Sequence, residues 1–271
     1  MTFKKTLIFS GCSFVAGDEV IWEKFITEEL PADSPAYKWT KAPADIYNSY
    51  VTFRKQYNMP AQVGKLLNSK VIDVSRDGNS NSGISLGIIN TILSIPKEEY
   101  KNLHVCAGWT VMHRRFKWVS EDTGFKDINI QHYKDGSLTE LDNYIFEEIV
   151  KNTDYDHVLH YIKDVLLLEY FLKSKNISYT FWRSLRSDSL KSYNELDRAI
   201  KLDNLNDDNW VLFDTGPGLL GKSWVDYMDA GSNSKNWWLS PTNGHPGMSA
   251  IKDLSLIICN HILKRNAEGR L

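Results

Sequence analysis

The sequence has few cysteines and no cysteine pattern. Its three cysteines, Cys12, Cys106 and Cys259, have no CxxC or Cys/His spacing, and an odd number leaves one unpaired. This composition argues against a disulfide framework and against a zinc site. A reducing cytoplasm is therefore the expected location.

Long hydrophobic runs are also lacking. No stretch reaches the ~18 consecutive apolar residues of a membrane-spanning helix, so the sequence predicts no membrane partner. Residues 6–9, which follow two lysines, resemble the start of a lipoprotein signal, but this apolar part is shorter than the ~7 residues that such a region requires. The segment predicts a buried first strand instead.

Charge of either sign is not in excess. The chain has 32 Lys+Arg and 34 Asp+Glu, a formal charge of −2, and shows no Lys/Arg stripe. Proteins that follow a phosphate backbone carry a basic excess, so we expect no nucleic-acid partner.

Apolar and aromatic residues, in contrast, are plentiful. A hydrophobic fraction of 42% excludes a disordered chain. Nine Trp, thirteen Tyr and eleven Phe are more aromatic residues than a core of this size needs. Some of them are therefore expected at a binding surface.

The order of apolar runs indicates an α/β protein. Five short runs predict buried strands at 6–10, 70–74, 103–107, 177–182 and 210–213. Helical patterns predict helices at 57–68, 82–93, 157–173 and 248–264. Alternating strands and helices predict a three-layer α/β/α sandwich around a parallel sheet of about five strands.

The chain is expected to form a single domain, residues 1–271, because it contains no linker or internal repeat. Two stretches, at about 18–54 and 111–155, are aromatic and charged without clear periodicity. They are expected to be insertions over the edge of the sheet.

A serine and a histidine lie at positions that suit catalysis. Ser13 directly follows the first strand, and open α/β sheets bind ligands beyond the carboxyl ends of their strands. Helix capping is the alternative role for this serine. His245 lies on a turn before the last helix and suits a general base, with a surface-loop histidine as the alternative.

The segments around Ser13 and after the second strand resemble two motif blocks of the SGNH/GDSL hydrolase family. Residues 11–17 match the first block, Gly-Asp-Ser-x-x-x-Gly, with Cys12 in place of the Asp. Residues 73–80 match the second block, with Gly78 as its key glycine.

Two further segments resemble the remaining blocks in the same order. The Gly-x-Asn-Asp block falls on residues 108–111, with Thr110 in place of the Asn. The Asp-x-x-His-Pro block falls on residues 242–246, where Thr242 replaces the Asp and His245 is kept. The form of the third block, with Arg114 after it, looks like the divergent members met in phage genomes.

The resemblance implies a flavodoxin-like fold and a cofactor-free serine hydrolase. Ser13 would be the nucleophile and His245 the base, and the backbone N–H groups of Ser13 and Gly78 would bind the oxyanion. The implied substrate is an ester, in which an acyl group is carried by a carbohydrate or a similar small polar acceptor. Transfer to a sugar hydroxyl would use the same residues as hydrolysis.

The departures from the blocks leave alternatives open. Loss of one oxyanion donor costs ~10²–10³ in rate, and loss of the carboxylate behind a catalytic histidine costs ~10⁴. Candidates for the missing donor are Asn79, Asn81 and the Thr110 hydroxyl; candidates for orienting His245 are Asp226, Asp229, Thr242 and a backbone carbonyl. The expected substrate contacts are Asn79, Asn81, Trp109 and Arg114.

Two other functions compete with hydrolysis. One is a catalytically impaired binding module that keeps the cleft. The other is a nucleotide-binding protein, because residues 216–223 fit GxxxxGK[ST], although only a short helical segment follows them.

Two further patterns have structural explanations. The GxSxG pattern at 83–87 places Ser85 inside a predicted helix rather than at a strand-to-helix turn. The Asp and His residues of 156–164 have metal-ligand spacing but fit a solvated first turn of a helix.

Most tryptophans fall outside the predicted strands, and Trp182 and Trp210 are expected in the core. The others are Trp22, Trp39, Trp109, Trp118, Trp224, Trp237 and Trp238. These seven are expected to wall a cleft around Ser13 and His245, as a sugar or an acyl chain would favour.

Overall fold

A computed structural model describes eight segments of the chain. They are residues 3–17, 44–112, 114–120, 124–128, 154–185, 207–213, 223–230 and 246–271. Their strands are β1 Thr6–Gly11, β2 Val71–Asp73, β3 Leu103–Trp109, β4 Arg115–Ser120, β5 Gly124–Ile128 and β6 Ser178–Arg183. Their α-helices are α1 Ser13–Ala16, α2 Ala44–Tyr57, α3 Met59–Leu67, α4 Asn81–Leu93, α5 Asp154–Ser174, α6 Trp224–Ala230 and α7 Met248–Ala267, and short 3₁₀ helices span Lys97–Asn102 and Asp207–Asn209.

The central sheet is parallel and has the strand order β2-β1-β3-β6. This is the beginning of the flavodoxin-like order. The fifth predicted strand is reduced to an isolated parallel bridge between Trp210 and Phe181. One backbone bond, from Val211 N to Phe181 O, joins this segment to the sheet. Within the described segments the sheet therefore has four strands where about five were predicted, and the bridge continues its order.

Helices cover both faces of the sheet. Along β1, Ile8 packs into a core with α4 and α5, whereas Leu7 and Phe9 pack into a second core with α3 and α7. Successive side chains of a strand point to opposite faces, so one apolar run supplies both cores. The fold class is the predicted α/β/α sandwich.

The predicted helices are present with small shifts of their ends. Asn58 caps α3 by accepting a hydrogen bond from Ala61 N (3.1 Å), and Ser80 caps α4 in the same way from Gly83 N (3.1 Å). Both caps follow the preference for short polar side chains at helix starts.

The two predicted insertions contain regular structure that the sequence pattern did not indicate. The first ends in α2, and the second includes an antiparallel hairpin of β4 and β5. Of the rest of both stretches, only residues 111, 112, 114, 154 and 155 are described.

Two further observations concern the cysteines and the helices. Cys12, Cys106 and Cys259 are buried free thiols. None of the helices in the described segments is long and apolar enough to cross a membrane.

Candidate active site

The strand register brings two of the motif segments to one edge of the sheet. Gly11 at the end of β1 pairs with Gly108 near the end of β3. Ser13 lies two residues beyond Gly11, and Thr110 lies two residues beyond Gly108. Both therefore follow neighbouring strands at the carboxyl edge, where α/β proteins bind their ligands.

Two glycines allow α1 to lie directly on this edge. A Cβ at Gly11 would lie 2.2 Å from Val15 Cγ2, and a Cβ at Gly108 would lie 2.6 Å from the same atom. Gly11 has no left-handed backbone angle, so it serves the close approach of Val15 rather than a sharp turn. Gly17, with φ +78°, ends α1 and donates its N–H to Ser13 O (2.7 Å).

Ser13 is the first residue of α1 and does not cap it. The N-cap residue is Cys12, whose side chain makes no capping hydrogen bond. Ser13 is 6% exposed, and its hydroxyl has no hydrogen-bond partner in the described part of the chain. The capping alternative for Ser13 is therefore wrong, and its hydroxyl is uncommitted.

The loop that contains Gly78 is fastened to the end of β1. Arg76 N and Asn79 Nδ2 both donate to the carbonyl oxygen of Gly11, at 3.1 and 3.2 Å. Gly78 has φ +67°, and a Cβ there would have no atom within 4 Å. Its backbone conformation, not lack of space, requires glycine.

Asn81, at the start of α4, bonds to the motif segment that follows β3. Its Oδ1 accepts from Thr110 N (2.9 Å), and its Nδ2 donates to the carbonyls of Thr110 (3.4 Å) and Val111 (3.2 Å). The start of α4 therefore fixes the backbone that follows β3.

The amides of Asn79 and Asn81 are used by the protein itself. Asn79 Oδ1 accepts from Arg76 Nη2 (3.1 Å), and its backbone oxygen accepts from Arg114 Nη1 (3.4 Å). Both asparagines are buried. The expectation that they contact substrate is corrected accordingly: these two side chains hold loops together. Local sequence gave no signal for the contacts with Gly11 and Thr110, because these partners lie 68 and 29 residues away along the chain.

Thr110 carries a polar group that the fold does not use. Its side chain is buried, and Oγ1 has no hydrogen-bond partner among the described residues. A buried hydroxyl without a partner costs about 1–3 kcal/mol. At this edge, such a hydroxyl is available to a ligand atom.

Trp109 and Trp224 belong to the core. Trp109 is fully buried edge-on against Phe181 (5.4 Å between ring centroids) and Tyr161 (6.1 Å). Trp224 is buried against Phe14 (6.1 Å). The expected substrate contact of Trp109, and a cleft wall built from these two rings, are corrected because both rings pack inside.

The other tryptophans divide into two groups. Trp182 and Trp210 are core residues, as predicted. Trp22, Trp39, Trp237 and Trp238 lie outside the described residues, and Trp118 lies on β4, whose side chains are also outside them.

The histidine side of the predicted site is described only in part. His245 and Thr242 lie outside the described residues, whereas α7 begins just after Pro246 and Gly247. Because Trp224 of α6 packs on Phe14 of α1, the start of α6 lies close to the serine segment.

Asp226 has a structural role at the start of α6. Its Oδ2 accepts from Ser223 N (2.9 Å) and Ser223 Oγ (2.7 Å), and its own N–H donates to Ser223 Oγ (3.2 Å). This reciprocal arrangement is a capping box. Asp229, also on α6, is exposed.

The remaining motifs have structural roles where they are described. Ser85 is buried in α4 and donates to Asp164 O (2.9 Å), which confirms the helical interpretation. Asp164 Oδ2 accepts from Ser82 Oγ (2.7 Å) across the same helix pair. No cluster of three His, Cys, Asp or Glu suited to a metal ion occurs among the described residues. Of the GxxxxGK[ST] pattern only Ser223 is described, at the start of the seven-residue α6.

Comparison with known proteins gives a distant likeness to a solved structure. No protein-family model and no curated protein matches the chain. A crystal structure of a protein designated a GDSL-like lipase, from Parabacteroides merdae ATCC 43184, aligns over 96% of both chains with 11% identity and a TM-score of 0.39. A likeness at this level establishes neither family nor function.

Proposed function

We propose that this chain is an ester hydrolase of the SGNH/GDSL type, with Ser13 as nucleophile and His245 as general base. The observation that carries the proposal is the convergence of three motif segments at one edge. The loop of Gly78 bonds to Gly11, Thr110 is held from α4, and Ser13 lies beside them with an uncommitted hydroxyl.

In the proposed reaction, Ser13 Oγ attacks the acyl carbonyl carbon while its proton passes to His245. The C–O bond to the alcohol breaks as His245 returns that proton to the leaving oxygen. Water then attacks the acyl-enzyme, again giving its proton to His245, and the carboxylic acid leaves as Ser13 regains its hydrogen.

The proposed oxyanion site uses Ser13 N, Gly78 N and the Thr110 hydroxyl. As first residue of α1, Ser13 has an N–H group that no carbonyl of the helix accepts. The family's asparagine is absent, and the amides of Asn79 and Asn81 are bonded elsewhere. The Thr110 hydroxyl is therefore the proposed third donor.

Asp229, Thr242 or a backbone carbonyl is proposed to orient His245. Asp226 is the weaker candidate, because one of its carboxylate oxygens already caps α6. An acyl group on a carbohydrate or a similar small polar acceptor is the proposed substrate class, with Arg114 as a polar contact.

A fluorophosphonate probe and short-chain nitrophenyl esters test the proposal. The wild-type protein should label and turn over ester, whereas Ser13→Ala and His245→Ala should lose about 10³-fold or more of the rate. Ser94→Ala is the matched control, because Ser94 is an exposed serine at the end of α4 that bonds only to its own helix.

Two results would contradict the proposal. One is labelling that persists in Ser13→Ala. The other is a folded wild-type protein that neither labels nor hydrolyses any ester in the series, which would favour the binding-module function over hydrolysis.

A further inference from the structure

A cavity of about 410 Å³ lies at the amino ends of the strands, opposite Ser13. Its lining includes Lys5 before β1, Lys101 before β3, Lys173 at the end of α5, Arg265 at the end of α7 and Arg270 just beyond that helix. We call this cavity the basic pocket. The six residues of β1 separate it from the Ser13 edge by roughly 20 Å.

Positive charge exceeds negative charge in the basic pocket. The described lining contains five Lys or Arg side chains and no Asp or Glu side chain. Lys173 is paired with Glu169 (2.8 Å), and Arg270 is paired with Asp208 (2.9 Å) and Glu268 (3.5 Å).

The other three cations lack such a partner. Within the described part of the chain, no carboxylate lies within 4.0 Å of the side-chain nitrogens of Lys5, Lys101 or Arg265. Asp208 and Glu268 act on Arg265 only from beyond this distance, so none of the three cations has an ion-pair partner in the described residues.

Arg265 is the most costly of these groups to leave unneutralised. It is 7% exposed and donates to Tyr179 O (2.8 Å) and Arg270 O (3.2 Å), but its Nε–H has no acceptor among the described residues. A buried charge is normally paired, because its desolvation is expensive. An anion in the pocket would supply the missing counter-charge.

Neutral partners hold the pocket in shape. Lys5 Nζ donates to Ser178 Oγ (2.9 Å), and Asn209 Nδ2 donates to the hydroxyl of Tyr179 (3.0 Å). Burial, and then the nearby charge of Arg265, lower the pKa of Lys5. Lys5 is thus held in position before any ligand arrives.

We propose that the basic pocket binds a small, multiply charged oxyanion, namely a phosphate or pyrophosphate group. Lys and Arg donors that converge in a cavity suit such groups, and the volume fits a small ligand. A nucleic acid would instead require a basic stripe, and the chain's net charge is −2.

Isothermal titration of the whole chain with inorganic pyrophosphate, at constant ionic strength, tests the site. We expect saturable binding with a Kd of about 1 mM or tighter. Lys101→Gln should weaken it about tenfold, because one charged donor is lost. Lys97→Gln is the matched control, since Lys97 is an exposed lysine on the same 3₁₀ helix and does not line the pocket.

Three results would overturn the site. They are the absence of saturable binding, equal weakening by Lys97→Gln and Lys101→Gln, and equal affinity for chloride and pyrophosphate. The inference does not depend on the proposed hydrolase, because roughly 20 Å separates the basic pocket from the Ser13 edge. The fluorophosphonate reaction of Lys101→Gln should therefore equal that of the wild type.

Discussion

The two ends of the parallel sheet carry different kinds of polar groups. At the carboxyl edge, short neutral side chains bond to backbone, as Asn79 does to Gly11 and Asn81 to Thr110. At the amino edge, long cationic side chains surround a cavity and only some of them are paired. The first arrangement holds the backbone that follows the strands, and the second concentrates charge.

This difference implies that substitutions at the two ends of the sheet will change different measured properties. A change at the carboxyl edge should lower activity together with stability, because the same hydrogen bonds support both. A change at the amino edge should alter anion binding or the pH dependence of stability and leave the chemistry of Ser13 unchanged.

The largest loss of stability is expected for Gly108→Ala. Its Cβ would lie 2.6 Å from Val15 Cγ2 and from Ser184 Oγ, and 2.8 Å from Trp182 Cε2. Overpacking of this kind costs about 3 kcal/mol, and it would push α1 and Ser13 away from β3. Urea unfolding should show the loss, and the fluorophosphonate rate should fall with it.

Gly87→Ala is the control for Gly108→Ala. Gly87 lies within α4, where the nearest atom to a new Cβ is Val74 Cγ2 at 4.0 Å. Replacing a helical glycine in open space should add about 0.5–1 kcal/mol to stability. Equal effects of the two substitutions would contradict the close packing of α1 on β3.

Asn81→Ala is expected to have the next largest effect. It leaves Thr110 N buried without its acceptor and removes the bonds to the Thr110 and Val111 carbonyls. The expected loss is about 2 kcal/mol. Esterase activity should fall further than this loss of stability alone explains, because the Thr110 backbone is released. Asn90→Ala, an exposed position on the same helix, should change neither quantity; if it did, the effect would belong to the helix as a whole.

Two buried histidines should make the free energy of unfolding depend on pH. His104 is fully buried between the hydroxyls of Ser178 (2.9 Å) and Thr180 (3.1 Å), and burial lowers its pKa well below 6.5. Burial, and then Arg265, lower the pKa of His261 to about 4. Below about pH 6.5 the unfolded chain takes up protons that the folded chain does not. Stability is therefore lost as the pH falls from 6.5 to 4, at up to about 1.4 kcal/mol per pH unit for each proton.

The double variant His104→Gln/His261→Gln isolates this effect. Unfolding free energies measured in urea at pH 7 and pH 5 should differ less in the variant than in the wild type. Carboxylates contribute equally to both proteins and cancel. If the free energy of unfolding of the wild type and of the variant depended equally on pH, the two histidines would not be the cause of this dependence.

The sequence predicted the carboxyl edge better than the amino edge, for a physical reason. Ser13 and Gly78 each follow a short apolar strand, so local order along the chain was enough to bring them to one edge. Their supporting contacts were not predictable in this way. The contact of Asn81 with Thr110, and that of Val15 with Gly108, depend on strand register, which no local pattern reveals.

Trp109 illustrates the limit of local reasoning. It comes after the apolar run that predicts the third strand, so the sequence pattern predicts a place for it in the wall of the cleft. In the structure β3 continues to Trp109, which pairs with Arg183 of β6 and points into the core. The basic pocket was missed for a similar reason, because its cations come from separate segments of a chain whose overall charge is nearly balanced.

The smallest expected loss of stability gives the sharpest comparison between the two ends of the sheet. Gly78 (φ +67°) and Gly269 (φ +69°) both have left-handed backbone angles, and neither has an atom within 4 Å of a new Cβ. An alanine at either position should therefore cost about 1 kcal/mol, from backbone strain alone.

Their functional effects should differ. Gly78→Ala shifts an N–H group of the proposed oxyanion site, and the ester-hydrolysis rate should fall about 10²-fold. Gly269→Ala lies next to Arg270 of the basic pocket, so it should change pyrophosphate affinity and leave hydrolysis intact. Urea unfolding, nitrophenyl-ester kinetics and pyrophosphate titration of both variants measure these differences. Equal losses of hydrolysis in the two variants would mean that Gly78 acts only through stability, because strain is the one property that the two substitutions share.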